Sequence, residues 1–150
     1  MALLIVNEER HDKSLTLEFS GRVDESSALP SLTQCESLVE LVLDLKNLTS
    51  MNSMGIKAWV LWIKQVPKHL RIIYRRCPAF LVSQMKVFLG FLPPGARIES
   101  FYVPYFCPAC KAITAIPYDN TPQTALEDSI TCPKCQQAAE IDIIKSDFLP

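Results

Sequence analysis

Cys107-Pro108-Ala109-Cys110 and Cys132-Pro133-Lys134-Cys135 are two copies of one short pattern, C-P-x-C, with 21 residues between them. Each C-x-x-C turn aims two thiolates at one point, and two such turns complete a tetrahedral set of sulfur ligands. A single C-x-x-C at the start of a helix would suit redox chemistry; two matching pairs do not. Two disulfides would use the same residues, but a reducing compartment disfavours them. The spacing therefore predicts a zinc ion held by Cys107, Cys110, Cys132 and Cys135. Four cysteines close the site, and no His or Glu stands beside it as a base, so the zinc is expected to be structural. Cys35 and Cys77 are solitary and read as small apolar fillers.

The chain changes character near residue 104, which predicts two units, 1–104 and 105–150. Residues 1–106 carry 12 Lys/Arg against 10 Asp/Glu, and residues 107–150 carry three against six. The segments flanking the knuckles, "FYVPYF", "AITAIPY" and "AEIDII", have strand character and fit a zinc ribbon. So short a module holds few large apolar side chains, so metal binding is expected to supply its stability. Its acidity disfavours phosphate contact, so nucleic acid is not an expected partner. Protein contact or self-association, a homo-oligomer included, suits it better.

The first unit alternates strand and helix signals. "ALLIV" is a short apolar run. "SLTLEFSG" alternates, with Leu15, Leu17 and Phe19 on one face. "DESSALPSLTQCESL" places Leu29, Leu32 and Cys35 three apart, with Pro30 suited to a first helical turn. "LVELVLDL" reads as a central strand covered on both faces. Ile56, Trp59, Val60 and Ile63 form one helical stripe. "HLRIIYR" is another strand, "PAFLVSQMKVFLGFL" a helix burying Leu81, Met85, Phe88 and Leu92, and "RIESFYV" a last strand. The order β-β-α-β-α-β-α-β implies an α/β domain with a mixed sheet of about five strands and helices packed on it. Its first strand is antiparallel or at an edge.

Between the central strand and the helix after it lies "TSMNSMGIKAW". In open α/β sheets that rim is where ligands and partners dock. Two readings of Asn52 and Ser53 stand side by side. One is ordinary capping, with Ser53 as the N-cap. The other is a regulated phosphosite, because a helix start offers free N–H groups and partial positive charge, with Lys57 one turn along. Gly55 lets another backbone approach. Lys68, Arg71, Arg75 and Arg76 are either a solvated strand end or a contact for an acidic partner, the chain's own ribbon among the candidates. His11 and His69 are expected to be solvated, Trp59 to be core, and Trp62 to be core or part of an exposed patch.

Residues 1–104 resemble STAS domains, the fold of bacterial anti-sigma factor antagonists. "LTLEFSGRVD" resembles the family's second strand and its turn, with Gly21, Val23 and Asp24 in place. "LVLDLKNLTSMNSMGIKAW" resembles its central strand and Asp-Ser-Ser/Thr-Gly-Leu loop, and "RIIYRRCPAFLVSQMKVFLGF" the next strand, loop and helix. The resemblance implies that Ser53 stands at the phosphorylated serine. Asn52 stands where the family has Asp, and Met54 where it has a second small hydroxyl residue. It implies a protein partner, an anti-sigma factor serine kinase, docking on Asn52, Ser53, Met54, Gly55 and Lys57 and switched by phosphorylation. An adaptor or subunit of a transporter or scaffold complex, never phosphorylated, is the alternative. After "RIESFYV" the family's last helix is missing, and the cysteine module takes its place.

The remaining signals exclude more than they assign. No Walker loop, Ser-His-Asp order, paired-carboxylate site or dinucleotide fingerprint is present, so an enzyme is not expected. No apolar run is long enough to insert across a membrane, and "MALLIVNEERHDK" lacks the basic start of a signal peptide. The expected location is the bacterial cytoplasm.

Overall fold

The computed structural model describes residues 3–145. Its first sheet contains β1 (Ile5–His11), β2 (Ser14–Val23), β3 (Glu40–Met51), β4 (Arg71–Arg75) and β5 (Arg97–Ile98), in that spatial order. β1 is an antiparallel edge strand, and the other pairings are parallel. Helix α1 (Ser53–Lys64) joins β3 to β4, and helix α2 (Ala79–Met85) lies between β4 and β5. The mixed α/β sheet of five strands with packed helices is thus present.

The alternation in β2 works as its sequence implies. Leu15, Leu17, Phe19 and Val23 are buried on one side, in register with Leu41 and Leu43 of β3 and with Ile72 and Tyr74 of β4. Against that face α1 sets Ile56, Trp59 and Ile63. Trp62 is also buried, and its Nε1 donates to the Pro30 carbonyl at 2.7 Å.

Two local expectations differ from the fold. Residues 24–39 form no helix. Asp24 accepts from the backbone and hydroxyl of Ser26 at 2.9 and 2.7 Å. The carbonyls of Pro30, Thr33 and Gln34 go to Trp62 and Arg10. Short polar side chains and distant donors thus take the hydrogen bonds a helix would need, while Leu29, Leu32 and Cys35 still pack on the core. The second helix stops at Met85, and Phe88 is exposed. Gly90, at φ +90°, turns the chain so that Phe91, rather than Phe88, enters the core. His69 is exposed, as expected, and its Nε2 also reaches the Cys35 carbonyl at 2.9 Å.

From Leu41 to Leu45, β3 is buried on both faces, as its sequence implies. Its helix-side residues join the apolar cluster, but Val42 and, on β4, Ile73 lie outside it on the other face. That face carries the ion pairs Arg71–Glu40 at 3.2 Å and Arg75–Glu99 at 2.7 Å. Arg76, at φ +52°, adds a forked pair with buried Asp44, its Nε 3.0 and 3.1 Å from the two carboxylate oxygens. The three arginines that flank β4 are therefore paired within the chain.

"RIESFYV" proves to be two strands. β5 ends at Ile98, and β6 (Ser100–Phe106) opens a second sheet with β7 (Ile113–Asp119), β8 (Ser129–Thr131) and β9 (Ala138–Ile141), in the order β7-β6-β9-β8. Cys77 pairs with Phe101, its N–H donating to Ser100 and its carbonyl accepting from Tyr102 at 2.9 Å. Phe101, Val103 and Tyr105 point into a hydrophobic cluster continuous with that of the first sheet. The sheets are therefore joined through β5 and β6.

Candidate functional sites: a four-cysteine cluster and an exposed helix start

Each C-P-x-C sequence is the turn of a β-hairpin. Cys107–Ala112 links β6 to β7, and Cys132–Gln137 links β8 to β9. The turns share one hydrogen-bond plan. Lys111 N–H donates to Cys107 at 2.7 Å, and Cys107 N–H to Ala112 at 2.9 Å. Gln136 N–H donates to Cys132 at 2.9 Å, and Cys132 N–H to Gln137 at 2.7 Å. Lys111 and Gln136, each directly after a second cysteine, both sit at positive φ, +65° and +66°. Antiparallel pairing of β6 with β9 brings both turns to one end.

There the four sulfurs lie within 4.8 Å of one another. Cys107 Sγ is 3.4 Å from Cys135 Sγ, and Cys110 Sγ is 3.7 Å from Cys132 Sγ. These separations exceed a disulfide bond of about 2.05 Å. They match the edges of a tetrahedron, about 3.8 Å, that metal–sulfur bonds of about 2.3 Å would set. The four residues singled out by spacing are thus brought together as a set that fits a metal ion.

Their electrostatics are uneven. The backbone N–H of Cys110 leads in holding the Cys107 thiol below its ordinary value. N–H groups of Cys135 and Lys134 bring Cys132 down to about 7. Cys135 is helped by the N–H of Gln137, but its thiol hydrogen bonds with Cys107, burial, and bonds with Cys110 and Cys132 outweigh that and push it up to about 12. Without a cation the first thiolates form readily and the last proton is retained, because negative charge accumulates among neighbours. A metal cation reverses that penalty.

The second site is the start of α1. Its N-cap is Asn52 rather than Ser53: Asn52 Oδ1 accepts from Gly55 N–H at 2.7 Å. Ser53 is the first helical residue, and Asn52, Ser53, Met54 and Lys57 are exposed. Gly55 is buried. A Cβ there would lie 2.2 Å from the Val23 carbonyl oxygen, so its absence lets α1 close against the end of β2. A residue without local sequence signal joins the rim: Glu25 Oε2 accepts from Asn52 Nδ2 at 3.1 Å, across 27 positions. Beside it, Ser26 holds the Asp24 carboxyl below the usual carboxylate range, with help from Arg22 at 2.8 Å.

No protein-family model matches the chain, and no curated protein matches it. Among the described residues, no helix is long and apolar enough to cross a membrane.

Proposed function

We propose that this is a non-enzymatic regulatory protein whose first sheet and helices form a STAS-like body, docking a protein partner at the start of α1. The supporting observation is the build of that rim. Asn52, Ser53 and Met54 are exposed, while Gly55 fixes the helix start against Val23. A partner would meet a preorganised surface, which lowers the entropy cost of association. A phosphate on Ser53 would sit among the first N–H groups of α1 and add about −1.5 to −2 charges to the contact face. That charge would expel a partner such as an anti-sigma factor serine kinase without refolding the domain. The metal in the four-cysteine site is zinc, with a structural role, because a sulfur tetrahedron suits it and leaves no ligand position open.

Glu25 favours a second reading. Its carboxylate at Asn52 opposes a phosphate nearby, which supports an adaptor or complex subunit that docks through the same rim and is never phosphorylated. Mass spectrometry of the native protein, joined to partner capture with Ser53→Asp and Ser53→Ala, separates the two. A phosphate on Ser53, with capture lost only in Ser53→Asp, supports the switch. Capture equal in both variants, without phosphate, supports the adaptor. Capture that survives Met54→Asp and Lys57→Glu would remove the rim from the account.

A further inference from the structure

Three consecutive large apolar residues, Val87, Phe88 and Leu89, stand out from the turn after α2, exposed by 72%, 39% and 94%. The turn is braced. Val87 and Phe88 N–H groups return to Gln84 at 3.0 and 3.1 Å, and Phe91 N–H returns to Phe88 at 3.2 Å. Phe91 is anchored in the core, stacked on Trp59 and Tyr74. Gly90 lies so close to α1 that a Cβ on it would be 2.8 Å from Val60 Cγ1 and 4.0 Å from Lys64 Cε. The tip therefore sits beside the outer side of α1, where Leu61 is 51% exposed.

The stretch of chain that carries this patch has charge of one sign. Residues 45–98 contain nine Lys/Arg and no Asp or Glu. Arg71, Arg75 and Arg76 are paired within the chain, whereas no ion pair among the described residues involves Lys64 or Lys86. An apolar tip flanked by lysines, in a stretch of chain without acids, complements a surface that offers hydrocarbon beneath negative charge.

We propose that Leu61, Lys64 and the turn Lys86–Leu89 form a peripheral contact for an anionic lipid surface. Val87 and Leu89 would enter the acyl boundary while Lys64 and Lys86 remain at the headgroups. A nearly fully exposed tip suits a deformable lipid layer better than it suits a rigid protein face, which would have to supply a matching groove. Only these side chains are engaged, so the contact does not depend on the Ser53 rim.

Vesicle flotation of the full chain tests it, using phosphatidylcholine alone and phosphatidylcholine with roughly 30 mole per cent phosphatidylglycerol. Binding is expected on the anionic vesicles only, weakening as salt rises from about 0.1 to 0.5 M. Val87→Asp with Leu89→Asp, and separately Lys64→Glu with Lys86→Glu, should each reduce partitioning by roughly tenfold or more. Ser53→Asp should leave it unchanged, and circular dichroism should confirm that each variant is folded. Absence of binding to the anionic vesicles, or binding that survives Val87→Asp with Leu89→Asp, would overturn the proposal. So would a concentration-dependent dimer that this substitution dissolves, because a second copy would then cover the patch.

Discussion

Trp59 Nε1 donates to the Tyr74 hydroxyl at 2.9 Å, and that hydroxyl donates to the Phe91 carbonyl at 2.7 Å. One phenol thus ties α1, β4 and the turn after α2 together inside a fully buried aromatic cluster. Tyr74→Phe keeps the ring and leaves both partners without the hydroxyl. The expected loss is about 1–3 kcal/mol of unfolding free energy, read from urea titration of tryptophan fluorescence. A change below a few tenths would mean that water replaces the hydroxyl.

Alkaline pH should destabilise the fold through the same region. Burial pushes the Tyr74 phenol and the Cys77 thiol well above their ordinary values of 10.0 and 9.0. Both groups keep their protons in the folded chain after the unfolded chain has lost them. Their contribution is therefore complete below pH 9, and stability falls as pH rises through 9 and 10. Thermal midpoints measured across that window should decline, and the decline should be shallower in Cys77→Ala, compared with its own neutral-pH midpoint. A flat profile in the native protein would contradict the burial of these groups.

Gly55→Ala tests whether α1 is seated as described. The added methyl meets backbone, the Val23 carbonyl oxygen at 2.2 Å and its carbon at 2.7 Å, so no side-chain rotation relieves it. The helix start must shift, at a cost of about 1–3 kcal/mol. Partner capture should weaken in parallel, because Asn52 and Ser53 move with it. Ala at exposed Ser53 should change stability by no more than about 0.5 kcal/mol.

What the sequence made legible follows from the range of the interactions. β2 was readable because alternation at period two is local, and the cysteine cluster because two equal knuckles carry their own turn chemistry. The segment 24–39 was not, because Pro30, Thr33 and Gln34 are held by Trp62 and Arg10 from distant strands and helices. Phe91 was missed in favour of Phe88, since helical spacing does not register the left-handed turn at Gly90. Glu25 escaped notice because its contact with Asn52 exists only once β2 and β3 pair.

The Asp44–Arg76 pair is where the strand-end arginines become structural. The Asp44 carboxylate is 7% exposed and accepts from both Nε and Nη2 of Arg76. That pairing raises the guanidinium's own pKa further. Asp44→Ala leaves the Arg76 head half-exposed and able to turn to water, so the loss should stay near the low end for broken buried pairs, about 3 kcal/mol. Asp44→Asn, which keeps one acceptor, should cost less. Equal losses would show that charge rather than shape matters at this position.

Metal removal should act first at the knuckles. Cys107 and Cys132 are fully buried and belong to the apolar cluster, while Cys110 is exposed. A chelator should therefore raise hydrogen exchange at residues 107–112 and 132–137 before tryptophan fluorescence changes, because Trp59 and Trp62 lie in the first sheet's core. Cys132→Ser should lower metal affinity and thermal stability together, whereas Cys110→Ser should affect affinity more than stability. Affinity should also fall with pH. Cys135 is pushed up to about 12 and keeps its proton at neutral pH, so binding displaces that proton, and acid opposes the displacement. Competition against a chromophoric chelator, corrected for the chelator's own protonation, should show weaker binding at about pH 6 than at about pH 8. Affinity independent of pH would mean that four thiolates are not the ligands.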